Sequence, residues 1–121
     1  MSDIRGIGID HCGIERMRPL LEKDSFLRRC FSEEELAYVR GKGRMAADSL
    51  AGLWAAKEAV LKALGCGLTL PMTDITVTHT ELGQPLCRLT GEALRLSGGG
   101  QLLLSVTHEG DMASAICVWT V

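Results

Sequence analysis

Two ionisable residues four positions apart, Glu58 and Lys62, stand on an alanine-rich stretch running from Ala51 to Gly67. On a helix that spacing puts both side chains on one face, beside Ala51 and Ala55, whose small side chains leave room for a ligand. Two readings follow from the spacing alone. A Glu preceding a Lys by four residues forms an ordinary surface ion pair, contributing roughly 0.2–0.5 kcal/mol. Alternatively, a carboxylate and an ammonium one turn apart can grip a metal ion and a phosphate. Lys57 falls inside the apolar stripe formed by Leu50, Leu53, Val60, Leu61 and Leu64. There it needs either a partner or a path to water along its methylenes. Asp10, closing the run Gly6-Ile-Gly-Ile-Asp10, is a second candidate metal carboxylate, or else a turn former. His108, closing Ser105-Val-Thr-His108, is a candidate base or a turn histidine. His11 reads as an exposed turn residue and His79 as a strand-surface residue.

The elements that must position these groups follow from periodicity. Ile4 to Asp10 alternates as a strand, with Ile7 and Ile9 on one face and Gly6, Gly8 and Asp10 on the other. The glycine face lets backbone or ligand approach closely. Gly13 to Leu21 carries a short helical pattern whose regularity Pro19 limits, and Phe26, Leu27 and Phe31 anchor a turn-rich segment with Arg28 and Arg29 pointing away. Ser32-Glu-Glu-Glu35 is a capping box opening a helix that ends near Gly41. A basic loop, Gly41 to Arg44, leads to the central helix, which starts near Asp48 and ends at Gly65 as its C-terminal glycine. Two strand pairs follow, Ile75–His79 with Leu86–Leu89, and Leu102–His108 with Met112–Val121, with a short helix over Glu92–Leu96 between them.

Composition narrows the function classes. At 121 residues, 46% hydrophobic and 23% charged, the chain suits one domain, residues 1–121, with a sizeable core. Only 4% of residues are aromatic and the net charge is −2, which argues against nucleic-acid binding. Eight of the 13 Lys and Arg residues lie between positions 16 and 44, a region that could meet an acidic partner, although six acids lie between positions 14 and 44. The five cysteines are odd in number and never closer than 18 residues, so they read as small buried hydrophobes in a reducing compartment. No apolar run resembles a signal peptide or membrane span, and the expectation is a cytoplasmic protein.

Three stretches together resemble the bacterial holo-acyl-carrier-protein synthases, short 4′-phosphopantetheinyl transferases. They are Gly6-Ile-Gly-Ile-Asp10, Leu53-Trp-Ala-Ala-Lys-Glu-Ala59 with Lys62, and Ser105-Val-Thr-His108. Phe26 to Arg29, Ser32 to Leu36, Leu50-Ala-Gly and Leu82-Gly-Gln-Pro85 fall in the same order, so the resemblance spans the chain. It implies an α+β fold, a small antiparallel sheet packed on a long central helix, assembled as a homotrimer with active sites between subunits. It further implies transfer of the phosphopantetheine arm of coenzyme A to a serine of an apo acyl carrier protein, releasing adenosine 3′,5′-bisphosphate, in the service of fatty acid biosynthesis.

Under that resemblance Asp10 and Glu58 hold Mg2+ and Lys62 faces the pyrophosphate. Lys57, Arg44, Gly65, Pro85 and His108 join Lys62 in contacting coenzyme A, and Arg16, Met17, Arg28 and Arg29 meet the carrier protein. The base that takes the serine proton is Glu58, His108 or a water on the metal. One departure stands out. Where some relatives carry an arginine toward the 3′-phosphate of coenzyme A, this chain has Leu53, and Arg44, Lys42 or a neighbouring subunit is expected to compensate. A binding module that kept the scaffold without catalysis is the competing reading.

Overall fold

The structure, a computed structural model, describes residues 3–121. Strand β1 (Ile4–Gly13) leads into a single turn, α1 (Ile14–Met17), and α2 (Asp24–Cys30) and α3 (Glu33–Arg40) precede the long helix α4 (Ala46–Leu64). A hairpin of β2 (Ile75–His79) and β3 (Pro85–Leu89), a short α5 (Gly91–Ser97), and a second hairpin of β4 (Gln101–Glu109) and β5 (Met112–Thr120) complete the chain. The expected strand pairs form, but as two separate antiparallel sheets, β1-β5-β4 and β2-β3. β1 also continues past Asp10 to Gly13, because residues 10–13 still pair with Ala115 to Met112.

Local chemistry accounts for the helix bounds. Pro19 tightens the chain after Met17 into a 3-10 turn, Arg18–Glu22, as a missing N–H allows. At α3 both halves of the capping box form: the Ser32 hydroxyl accepts from the Glu35 N–H, and the Glu35 carboxylate accepts from the Ser32 N–H. α4 stops at Gly65, whose φ of 78° only glycine adopts without strain, and the N–H groups of Gly65 and Cys66 close on the carbonyls of Lys62 and Leu61.

Helix α4 is the core. Ala47, Leu50, Ala51, Leu53, Ala55, Ala56, Ala59, Val60 and Leu61 are all buried against both sheets and α3. Phe26, Phe31 and Trp54 cluster at one end with ring centroids 5.7–6.3 Å apart.

Alanines and glycines allow the close fit on the strand side. A methyl on Gly8 would lie 2.7 Å from the Ala63 nitrogen and 2.9 Å from Lys62 Cβ, and closer still to the Ala59 carbonyl oxygen; Gly6 meets the Ala63 carbonyl in the same way. The glycine face of β1 is therefore filled by helix backbone. The opposite face of the sheet is open and apolar: Ile7 and Ile9 are 65% and 66% exposed, with Leu103 and Ile116 also exposed on their side. Among the described residues no helix is long and apolar enough to cross a membrane.

Candidate active site at the β1 and α4 contact

Because β1 lies directly on α4, Asp10 meets the C-terminal half of the helix. The Lys62 ammonium donates to Asp10 Oδ1 at 3.2 Å and to the Ile9 carbonyl at 2.9 Å. Of the two readings that the spacing of Glu58 and Lys62 allows, the simple ion pair between them does not form; Lys62 pairs instead across the strand and helix with Asp10. Glu58 is close enough that Asp10, Lys62 and Arg16 all act on its charge. Partial burial, then the Asp10 carboxylate, push the Glu58 carboxyl above its ordinary range, while Lys62 and Arg16 pull it back. The same environment reaches Cys12, whose thiol burial raises and Arg16 lowers.

This arrangement can hold a divalent cation of the hard, oxygen-seeking kind. Among the described residues no set of three or more His, Cys, Asp or Glu side chains gathers into a metal cage. Two carboxylates completed by water and phosphate oxygens are what Mg2+ takes. The fit is supported by the positive group already resting there: the Lys62 ammonium sits on Asp10 and an adjacent carbonyl, so the locus attracts a cation.

His108 lies elsewhere. Its Nε2 stands 3.0 Å from the Asp48 carbonyl, to which it must donate, leaving Nδ1 as the free ring nitrogen. Gly52 leaves the space for this ring, since a methyl there would lie 3.0 Å from Nε2. Asp48 and Glu58 are ten residues apart on one helix, a rise of about 15 Å. The two ends of α4 therefore carry different halves of the expected site: Asp10, Glu58, Lys62 and Gly65 at the C-terminal end, His108 and the exposed Arg44 at the N-terminal end. Pro85 opens β3, opposite His79, and lines a cleft of about 520 Å³ between β3 and β4.

Two expected contacts do not match the positions found. Lys57 is 0% exposed and its ammonium is committed to Glu35 Oε1 at 2.6 Å, so it neither snorkels to water nor presents a charge to coenzyme A. Burial pushes the Lys57 amine down, and the Glu35 carboxylate offsets part of this. Met17, expected at the carrier-protein contact, is fully enclosed in the core, because α1 turns that side chain under α4. Arg16, Arg28 and Arg29 are exposed, as a docking role requires, and Arg16 additionally faces Glu58. His11 is exposed, on β1 rather than in a turn. His79 is half-buried and stacks on Tyr38 at 4.1 Å with rings 6° from parallel. Glu35 and Gly52 have roles that spacing alone does not reveal, one holding Lys57 and the other leaving room for His108. The sequence marks Glu35 as a capping residue alone; that it also answers Lys57, 22 residues on, follows only from the fold.

In this small α+β fold a carboxylate on β1, Asp10, thus meets a carboxylate and an ammonium on α4, Glu58 and Lys62. The 4′-phosphopantetheinyl transferase superfamily matches residues 6–117. A holo-[acyl-carrier-protein] synthase of Treponema denticola is 42% identical over 119 residues, covering 95% of this chain and 97% of that one. One of Trichlorobacter lovleyi is 41% identical, covering 93% and 94%. Among solved structures, the Bacillus anthracis holo-(acyl-carrier-protein) synthase in complex with CoA (3′,5′-ADP) superposes with a TM-score of 0.82 at 32% identity, covering 98% of both chains. The Helicobacter pylori enzyme in complex with coenzyme A gives 0.79 at 30%, covering 92% and 96%. The chain belongs to the holo-acyl-carrier-protein synthases of the 4′-phosphopantetheinyl transferase superfamily.

Proposed function

We propose that this protein moves the 4′-phosphopantetheine arm of coenzyme A onto a serine hydroxyl of an apo acyl carrier protein, releasing adenosine 3′,5′-bisphosphate, with Mg2+ held between Asp10 and Glu58. The observation that carries this reading is the meeting of Asp10, Glu58 and Lys62 at one strand and helix contact. Bound there, Mg2+ would neutralise the charge developing on the pyrophosphate. Lys62, now resting on Asp10, is long enough to turn toward the phosphate being transferred and to stabilise the departing bisphosphate. The serine proton is taken by Glu58, His108 or a water on the metal. Arg16, Arg28 and Arg29 offer an acidic carrier protein its docking charges, acting chiefly on association rate.

The assembly belongs to the same reading. A homotrimer buries the open face of Ile7, Ile9, Leu103 and Ile116. It also supplies what one chain lacks: His108 and Arg44 of one copy can complete the Asp10, Glu58 and Lys62 end of the next. With Leu53 in place of an arginine, Arg44 or Lys42, both exposed ahead of α4, is the cation that meets the 3′-phosphate.

The test is intact-mass spectrometry of an apo carrier protein incubated with coenzyme A, Mg2+ and this protein. The mass of one phosphopantetheine group should be gained, and Asp10→Ala or Glu58→Ala should abolish the gain while the far-ultraviolet circular dichroism stays unchanged. Binding of coenzyme A without any mass gain would overturn catalysis in favour of a binding module.

A further inference from the structure

Glu35 and Lys57 are both 0% exposed, an ion pair sealed in the core between α3, α4 and β2. Stability does not explain it. Removing two charges from water costs several kcal/mol per ion, and apolar residues of the same volume often serve a core as well or better. What the pair has that apolar residues lack is directionality, and its bonds are fully specified. Glu35 Oε1 accepts from Lys57 Nζ at 2.6 Å and from the Ser32 N–H at 2.9 Å, while Oε2 accepts from the Val77 N–H at 2.8 Å. One carboxylate thus ties the first turn of α3, the edge of β2 and the middle of α4. The Lys57 ammonium also lies 4.9 Å from the centre of the Phe31 ring, which closes its remaining side.

Glu58 is the next residue along α4. A helix turns about 100° per residue, so holding Lys57 inward toward Glu35 fixes Glu58 on the side that faces β1 and Asp10. The alanine face between α4 and β1 cannot do this alone. There the β1 glycines meet helix backbone, which sets how closely strand and helix approach, while the alanine side chains are small and make no directional contact that fixes the rotation of α4. A charge-assisted bond to one atom has a single favourable geometry.

We propose that Glu35 and Lys57 are positioning residues for the transfer reaction: the pair sets the rotation of α4, and through it the placement of Glu58 against Asp10. Neither side chain touches substrate. The proposal rests on the transferase reading only in taking Glu58 as a working residue.

The variant that cuts the tether to α4 alone is Lys57→Met, which leaves Glu35 its two backbone donors. Because it strands a buried carboxylate, the double variant Glu35→Gln with Lys57→Met, which holds no unpaired charge but gives up one of the two backbone bonds because an amide has a single acceptor oxygen, is made beside it. Each is followed by thermal unfolding, by the rate of carrier-protein modification, and by Mn2+ titration of the protein with coenzyme A but no carrier protein, read by electron paramagnetic resonance. The expected result for whichever variant folds is a loss of about tenfold or more in kcat, a similar weakening of Mn2+ binding, and a KM for the carrier protein within twofold of the parent. A variant that folds yet keeps kcat and Mn2+ affinity within twofold of the parent would overturn the positioning role. So would a fall in kcat with Mn2+ affinity unchanged, since misplaced carboxylates must weaken both. If the parent itself neither binds Mn2+ with coenzyme A nor modifies the carrier protein, it is the transferase reading that fails.

Discussion

Gly8→Ala probes the strand and helix contact with a single methyl. Ordinary van der Waals contact begins near 3.4 Å, whereas the new Cβ would stand 2.7 Å from the Ala63 nitrogen, a shortfall of 0.7 Å, and the Ala59 carbonyl is closer still. Both obstacles are helix backbone, which cannot rotate aside as a side chain can. β1 must therefore lift from α4 by at least that 0.7 Å, and Asp10, two residues on, lifts with it. Overpacking of this kind costs about 1–3 kcal/mol, which for a chain of this size lowers Tm by roughly 5–15 °C. Misplacing a catalytic group by about 1 Å costs on the order of 100-fold in rate. The rate of carrier-protein modification should fall by about that factor in a protein that differential scanning calorimetry shows still folding cooperatively. Gly13→Ala is the control: its Cβ would meet nothing nearer than Arg16 Cβ at 3.9 Å, so both measurements should stay near the parent's. Parental rate and Tm for Gly8→Ala would refute the placement of Asp10 by backbone contact.

Glu58 should carry a stability penalty at neutral pH. Its folded carboxyl is raised, first by burial and then by Asp10. Between the unfolded value of about 4.3 and the higher folded one, the native state binds more protons, so stability is greatest below that window and declines as pH rises through it. Glu58→Gln should accordingly raise the urea midpoint at pH 7, with the gain vanishing near pH 4, and a gain independent of pH would contradict the assignment. Burial pushes the Cys87 and Cys117 thiols up to about 12. With roughly one thiol in ten thousand ionised at pH 8, iodoacetamide should modify the fully buried Cys117 only once the protein is unfolded, as peptide mapping will show, whereas Cys87 is half-buried beside the cleft and is held back by its raised thiol alone; rapid native labelling of Cys117 would contradict its burial. If subunits share sites, Glu58→Ala and His108→Ala, each impaired alone, should recover activity when refolded together, because one class of mixed interface keeps both residues; a mixture no more active than its parts would place the whole site in one chain.

Much of this architecture was legible in the chain. The glycine and isoleucine alternation of β1, the capping box at Ser32, the glycine stop at Gly65 and both hairpins depend on local backbone chemistry, which neighbouring residues dictate. The meeting of Asp10 with Lys62 was only half legible. Spacing put Lys62 beside Glu58, but which carboxylate takes the ammonium depends on a strand 52 residues away. Lys57 announced that it needed a partner, yet nothing local identified an acid 22 residues back. Met17 failed as a surface residue because one turn of helix has two equally plausible faces, and the choice is made by α4. His79 sits on a strand whose surface looks open until Tyr38 of α3 covers it. The separation of His108 from Glu58 follows only once β4 is known to pass the N-terminal end of α4.

On the reading proposed above, the resting bond between Lys62 and Asp10 would make the site an ion exchanger. As long as the ammonium occupies the carboxylate, a divalent ion arriving alone must compete with a tethered cation that is always at hand. A substrate rich in phosphate oxygens changes the contest, because it offers the ammonium a better anion and so vacates the carboxylate in the same movement. If Asp10 and Glu58 hold the metal as proposed, metal and substrate would then enter as a pair, and the free protein would not hold a charged metal site open in the absence of anything to transfer.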